Sequence, residues 1–203
     1  MNKKTVKQGL DAIAKHDRDV SVALQQIGYP QPRKRPMGFE ALLIIIVNQQ
    51  ISVEAASSIL NRIRERFPDL SPEALLASNE GCLREAGMSA RKEQYARCLA
   101  VAIVEGSFDP AGLKKLDDEA AIQEIVTLRG FGRWSAEIYL MFSLRRKDVF
   151  PADDLALQLA LQRLKNLPTK PSGKQARELT ASWSPWRTMG SLFLWHYYRG
   201  APS

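Results

Sequence analysis

Apolar residues recur at helical spacing along almost the whole 203-residue chain, and no segment alternates apolar with polar residues for long enough to read as a strand. That periodicity confines the fold to the all-α class. Helices are expected at about 3–15, 17–27, 38–48, 52–67, 72–78, 80–86, 89–105, 117–127, 132–144, 153–165, 173–182 and 185–198. Tyr29-Pro30-Gln31-Pro32-Arg33-Lys34-Arg35-Pro36 is a basic, proline-rich connector between an N-terminal helical pair and the rest. Phe67-Pro68, Asp109-Pro110, Phe150-Pro151 and Leu167-Pro168 end helices, because the residue before a proline is biased out of the α region. A hydrophobic fraction of 45% is that of a globular chain able to bury a sizeable core.

Charge narrows the partners. Twenty-nine Lys and Arg against 22 Asp and Glu give a net charge of +7, which favours a phosphate polyanion with an attraction that weakens as salt rises. Composition alone does not decide this. Cys82 and Cys98 are the only cysteines, consistent with a reducing compartment and too few for a four-thiolate iron-sulfur cluster. The most apolar stretch, Ala41 to Val47, falls far short of the roughly 20 residues of a spanning helix, so no membrane association is expected. The start, Met1-Asn2-Lys3-Lys4, leads into no apolar signal region, and the expected location is cytoplasmic.

The run Leu128-Arg129-Gly130-Phe131-Gly132-Arg133-Trp134-Ser135-Ala136 carries the chemistry. Two glycines one residue apart let the backbone turn sharply and bring successive N–H groups toward an anion, after which a helical period resumes. A hairpin that grips a phosphate is the reading. Asp153 and Asp154 follow 19 and 20 residues past Trp134, room for a helix, a turn and the start of another helix. A carboxylate could thereby be held beside a DNA backbone. From the residues alone the glycines could also form an ordinary helix connection, the acids could simply cap the helix near Leu155, and Trp134 could be a core aromatic.

Turn, spacing and acid together resemble the helix-hairpin-helix of the base-excision DNA glycosylase superfamily, over roughly Pro36 to Arg199. The match is nearest to the branch acting on alkylated bases, the 3-methyladenine DNA glycosylase II type, in a compact form without an N-terminal β domain. The resemblance implies two helical lobes with the active site in the cleft between them: lobe A from 1–36 plus about 145–203, and lobe B from about 37–144 containing the hairpin 128–136. It also implies action on double-stranded DNA that contains damaged bases; a monomer is expected because a flipped-out lesion is a single asymmetric site and nothing in the sequence resembles a coiled-coil seam. No organic cofactor or catalytic metal is implied, only a monovalent cation at the hairpin.

Site residues follow from the same resemblance. Asp154 matches the catalytic aspartate, and Asp153 is placed as a support or a cap. Strand-cleaving members carry a Schiff-base lysine where this chain has Trp134, so a monofunctional glycosylase is implied. Gly130, Phe131 and Gly132 would present amides to phosphate, with Arg133 adding charge. In Asn48-Gln49-Gln50-Ile51-Ser52, Gln50 or Ile51 would fill the space left by a flipped nucleotide, and Gln49 could bond a base edge. Ser89, Arg91 and Lys92 form a second backbone-contacting turn. Trp195, Phe142 and Ser143 would line the base pocket. Ile138 and Leu155 stand where the larger bacterial enzyme has tyrosines, which implies a less aromatic pocket. The alternatives are a glycosylase for another lesion, or a helix-hairpin-helix protein that only binds damaged DNA.

Overall fold

The computed structural model describes residues 1–33 and 35–200. Among them the chain forms twelve α-helices and two 3-10 turns, with no strand. Each expected helix is present, with ends shifted by at most three residues, largely because the capping residue lies just outside the helix. The helices pack as two units: one gathers the described residues within 1–34 and 140–203, the other those within 35–139.

The first unit contains α1 (Lys3–Ala14), α2 (Arg18–Ile27), α10 (Leu155–Leu164), α11 (Gly173–Leu179) and α12 (Arg187–Gly200). Asn2 caps α1 by accepting from Thr5 N, and Val6, Leu10 and Ile13 form its buried stripe. Trp183 is almost fully buried and donates its indole N–H to Asp17 Oδ2 at 2.8 Å. Asp17 also caps α2 through Val20 N and accepts Lys165 Nζ at 2.6 Å. A buried carboxylate is tolerated because three donors surround it.

The second unit is built around α3 (Phe39–Asn48), whose apolar residues face every direction and are all buried. Against it pack α4 (Val53–Arg66) and α7 (Ala90–Val104), with α5 (Pro72–Ala77), α6 (Cys82–Glu85) and α8 (Asp118–Val126) completing the unit. Buried Glu93 accepts from Gly81 N at 2.8 Å and from Arg84 Nε at 3.0 Å, joining α6 to α7. The last element is α9 (Arg133–Phe142), within which the chain passes from this unit to the first.

Candidate active site and nucleic-acid interface

In the second unit, the hairpin closes through two backbone bonds, Leu128 N to Ile125 O and Phe131 N to Leu128 O. Gly130 sits at φ +89°, and a Cβ there would overlap the Tyr95 ring on α7. Gly132 has neither constraint: its φ is ordinary and a Cβ would meet open space. The amides of Gly130 and Gly132 have no protein acceptor among the described residues and are the donors this turn offers to an anion. Phe131 differs from its expected role. Its N–H closes the turn and its ring is buried, so it builds the hairpin rather than facing phosphate.

Arg133, the first residue of α9, is held by protein carboxylates. It makes paired bonds to Glu119 at 2.9 and 2.7 Å and one to Glu137 Oε1 at 3.2 Å. Glu119's hydrogen bonds, against some desolvation, hold the guanidinium proton more tightly than usual. In the free protein Arg133 therefore braces α8 against α9. Trp134 follows in the first turn of α9, half-buried.

The loop after α3 is strapped to this hairpin. Gln49 Nε2 donates to Gly130 O at 2.9 Å and to Ser135 Oγ at 3.2 Å, so both amide protons serve the protein and only its carbonyl is left to read a base. Gln50 adopts φ +55°, a left-handed conformation that costs a non-glycine residue about 1 kcal/mol or more and that clusters at functional loops. Gln50 is exposed, as are Ile51 (38%) and Val53 (61%), which gives the loop an apolar tip. Lys92 turns inward: its ammonium donates to Val47 O at 2.8 Å, capping the end of α3, and desolvation lowers its pKa. In the free protein one of its three N–H groups is thus spent on a helix cap. Ser89 caps α7 through Lys92 N at 3.3 Å, and Arg91 projects from the first turn into solvent.

In the first unit, Asp154 is the N-cap of α10. Its Oδ1 accepts from Leu157 N at 3.0 Å and from the indole N–H of Trp195 on α12 at 3.2 Å. The cap and the candidate catalytic acid are one residue, so the helix start itself aims the carboxylate. Asp153 is not the cap. Its carboxylate lies against Gly173, where any Cβ would collide with it, and 3.5 Å from Arg177 Nη2. Both contacts join the turn to α11. The turn is further fixed by Asp154 N to Pro151 O, by Gln158 Nε2 to Ala152 O, and by Thr188 Oγ1 accepting from Val149 N.

Trp195, which bonds Asp154, packs against a second expected pocket residue, Phe142, and Ser143 follows it in the chain. The Phe142 and Trp195 ring centroids are 5.9 Å apart, tilted by 32°. Ser143 is 2% exposed and its hydroxyl has no partner among the described residues, an arrangement that costs about 1–3 kcal/mol unless a ligand supplies one. The sequence reading missed Arg33. Its guanidinium carbon lies 5.9 Å from the centre of the Trp195 ring, and among the described residues no carboxylate pairs with it. Desolvation and the nearby Arg199 lower its pKa. The ring already attracts a cation.

Comparison with known proteins settles the family. The pattern of the HhH-GPD superfamily of base excision DNA repair proteins matches residues 43–185, more than half of the chain. The protein belongs to the HhH-GPD superfamily. This HhH-GPD chain is 31% identical over 169 residues to DNA-3-methyladenine glycosylase 1 of Schizosaccharomyces pombe, covering 80% of the chain and 72% of that protein. The structure of the Schizosaccharomyces pombe 3-methyladenine DNA glycosylase with abasic DNA superposes with a TM-score of 0.88 at 26% identity, over 96% of this chain and 98% of the other. A DNA-3-methyladenine glycosidase from Bacillus halodurans superposes with a TM-score of 0.80 at 30% identity, over 94% and 88% of the two chains. The all-helical HhH-GPD glycosylase fold expected from the sequence is the fold observed.

Proposed function

We propose that this HhH-GPD protein is a monofunctional DNA glycosylase of base-excision repair, which flips an alkylated purine of the 3-methyladenine type out of duplex DNA and hydrolyses its N-glycosidic bond. One observation carries the reading: Asp154 is fixed by the start of α10 and by the Trp195 indole, in the same unit as the Phe142 ring and the unpartnered Ser143 hydroxyl. Breaking the bond builds positive charge on the sugar. A fixed carboxylate stabilises that charge, orients the water whose oxygen bonds to C1′ as the base departs, and accepts the proton that water loses.

A purine alkylated at a ring nitrogen is cationic before cleavage and leaves as a neutral base. It therefore needs less help in leaving, and one carboxylate suffices. The Trp195 face attracts a cation, as Arg33 over it shows, and suits such a ring once that guanidinium moves aside, while the Ser143 hydroxyl can satisfy a polar atom on its edge. Gln50 and Ile51 fill the gap that extrusion leaves in the duplex, offsetting part of its few kcal/mol cost. With Trp134 in place of an amine no imine forms with the sugar, so the product is an abasic site.

No organic cofactor or catalytic metal enters this scheme. A monovalent cation bridging the hairpin to phosphate would be held by backbone carbonyls. Those of Leu128 and Gly130 each accept one N–H and keep a second lone pair, so the residues fit it. The protein acts as a monomer in the compartment that holds the DNA. The test is incubation with methylated duplex DNA, chromatography of the released bases, and alkali to reveal abasic sites. Free 3-methyladenine with breaks only after alkali supports the reading; breaks without alkali, or no release, refute it.

A further inference from the structure

Of the cations that the sequence nominates for phosphate, Lys92 and Arg133 are bound to protein acceptors, Val47 O and the carboxylates of Glu119 and Glu137, whereas Arg91 is not. A second guanidinium in the same unit, that of Arg129, which the sequence reading did not nominate, lacks such partners too. Arg91 projects from the first turn of α7 and Arg129 from the hairpin; both are exposed, and among the described residues neither has a hydrogen bond or ion pair. Both line one groove of about 910 Å³ along α7. The packing of Gly130 against Tyr95 locks the hairpin to that helix, so the two arginines are presented by one rigid surface.

Arg84 and Arg97 also line the groove, but they pair with Glu93. Glu80 and Glu105 line it as well. The groove as a whole is therefore close to neutral, and attraction comes from the two unpaired guanidiniums. A guanidinium presents a planar fork that matches two phosphate oxygens and carries no competing partner here. Arg129 also directly precedes Gly130, whose amide is one of the two open donors of the hairpin.

Resting on the glycosylase reading above, we propose that Arg129 and Arg91 make the direct cationic phosphate contacts of this surface, and that their groove carries the DNA backbone beyond the phosphate gripped by Gly130 and Gly132. Lys92 and Arg133 act on the same surface as positioning residues, holding the end of α3 and the start of α9.

The experiment measures affinity for a duplex containing a stable abasic analogue over a series of KCl concentrations, for the wild type and for Arg129→Gln, Arg91→Gln, the double variant and Lys92→Gln. Removing one side chain that neutralises a phosphate lowers the slope of log K against log salt by about 0.9, so the slope of the double variant falls by nearly 2. Lys92→Gln keeps the wild-type slope. Thermal melts of both arginine variants match the wild type, since both side chains are exposed and unpaired among the described residues. A double variant with the wild-type slope, or a slope that falls for Lys92→Gln and not for Arg129→Gln, overturns the assignment. The two readings fail separately: no base release by the wild type sinks the glycosylase reading, whereas unchanged slopes sink the groove.

Discussion

Replacing Gly130 by alanine tests why this hairpin needs glycine, because two separable costs meet there. An L-residue at φ +89° carries strain of about 1–2 kcal/mol, and a methyl group pressed into the Tyr95 ring adds about 1–3 kcal/mol of overpacking. The sum, about 2–5 kcal/mol, is a large fraction of a domain's stability. Urea unfolding of Gly130→Ala, Tyr95→Ala and the double variant isolates the steric part, since truncating the ring relieves the overlap but leaves the backbone strain. The cycle should show a coupling of about 1–3 kcal/mol. Gly132→Ala is the control. With open space around it and an ordinary φ, it should unfold like the wild type while weakening DNA binding, because its methyl stands where phosphate approaches. Gly130→Ala within about 0.5 kcal/mol of the wild type, or no coupling to Tyr95, would refute this account of the turn.

Other residues give predictions with distinct signs. Burial raises the Asp17 pKa, but hydrogen bonds from Lys165, Trp183 N–H and Val20 N outweigh it and hold the carboxyl below the ordinary value. Its contribution to stability is therefore present above about pH 4 and lost as pH falls further, and Asp17→Asn should flatten that acid limb in urea titrations. Ser143→Ala removes a buried hydroxyl with no partner, so it should raise stability by up to about 1 kcal/mol while slowing base release; lower stability would mean that the hydroxyl is satisfied in the free protein. Trp195→Phe keeps an aromatic face but deletes the N–H that bonds Asp154. Single-turnover release should slow about tenfold with little change in duplex affinity, and an unchanged rate would remove that bond from the mechanism.

Most of the fold was legible because helical periodicity is a local signal and the caps are written in the sequence: Ser52, Ser71, Ser89, Asp117 and Ser172 each accept from the expected amide. The hairpin was legible from its glycines, and the place of the acid pair at the start of a helix from its spacing. What the sequence did not show was which side chains meet partners far away along the chain. Nothing local says that Arg133 meets Glu119, that Lys92 reaches Val47 O, or that Gln49 bonds Gly130 O. Phe131 was misread for a different reason: in a tight turn one amide closes the turn, and only the remaining ones can face outward. Arg33 lay inside a run read as a connector, and its place over Trp195 is tertiary. The cap at Asp154 was read as the alternative to catalysis, and Leu157 sits at the third helical position where an N-cap side chain finds its donor.

Asp154→Asn bears most directly on the central claim. Asparagine caps a helix as well as aspartate does, and its carbonyl can still accept from Leu157 N and Trp195 Nε1, so the substitution removes charge with little change in geometry. Single-turnover release of 3-methyladenine from a saturated duplex, with affinity measured in parallel, should show a rate lowered by about 10²-fold or more and binding retained. Release at the wild-type rate by a folded Asp154→Asn protein would contradict the account, because the charge on that carboxylate would then have no part in breaking the bond.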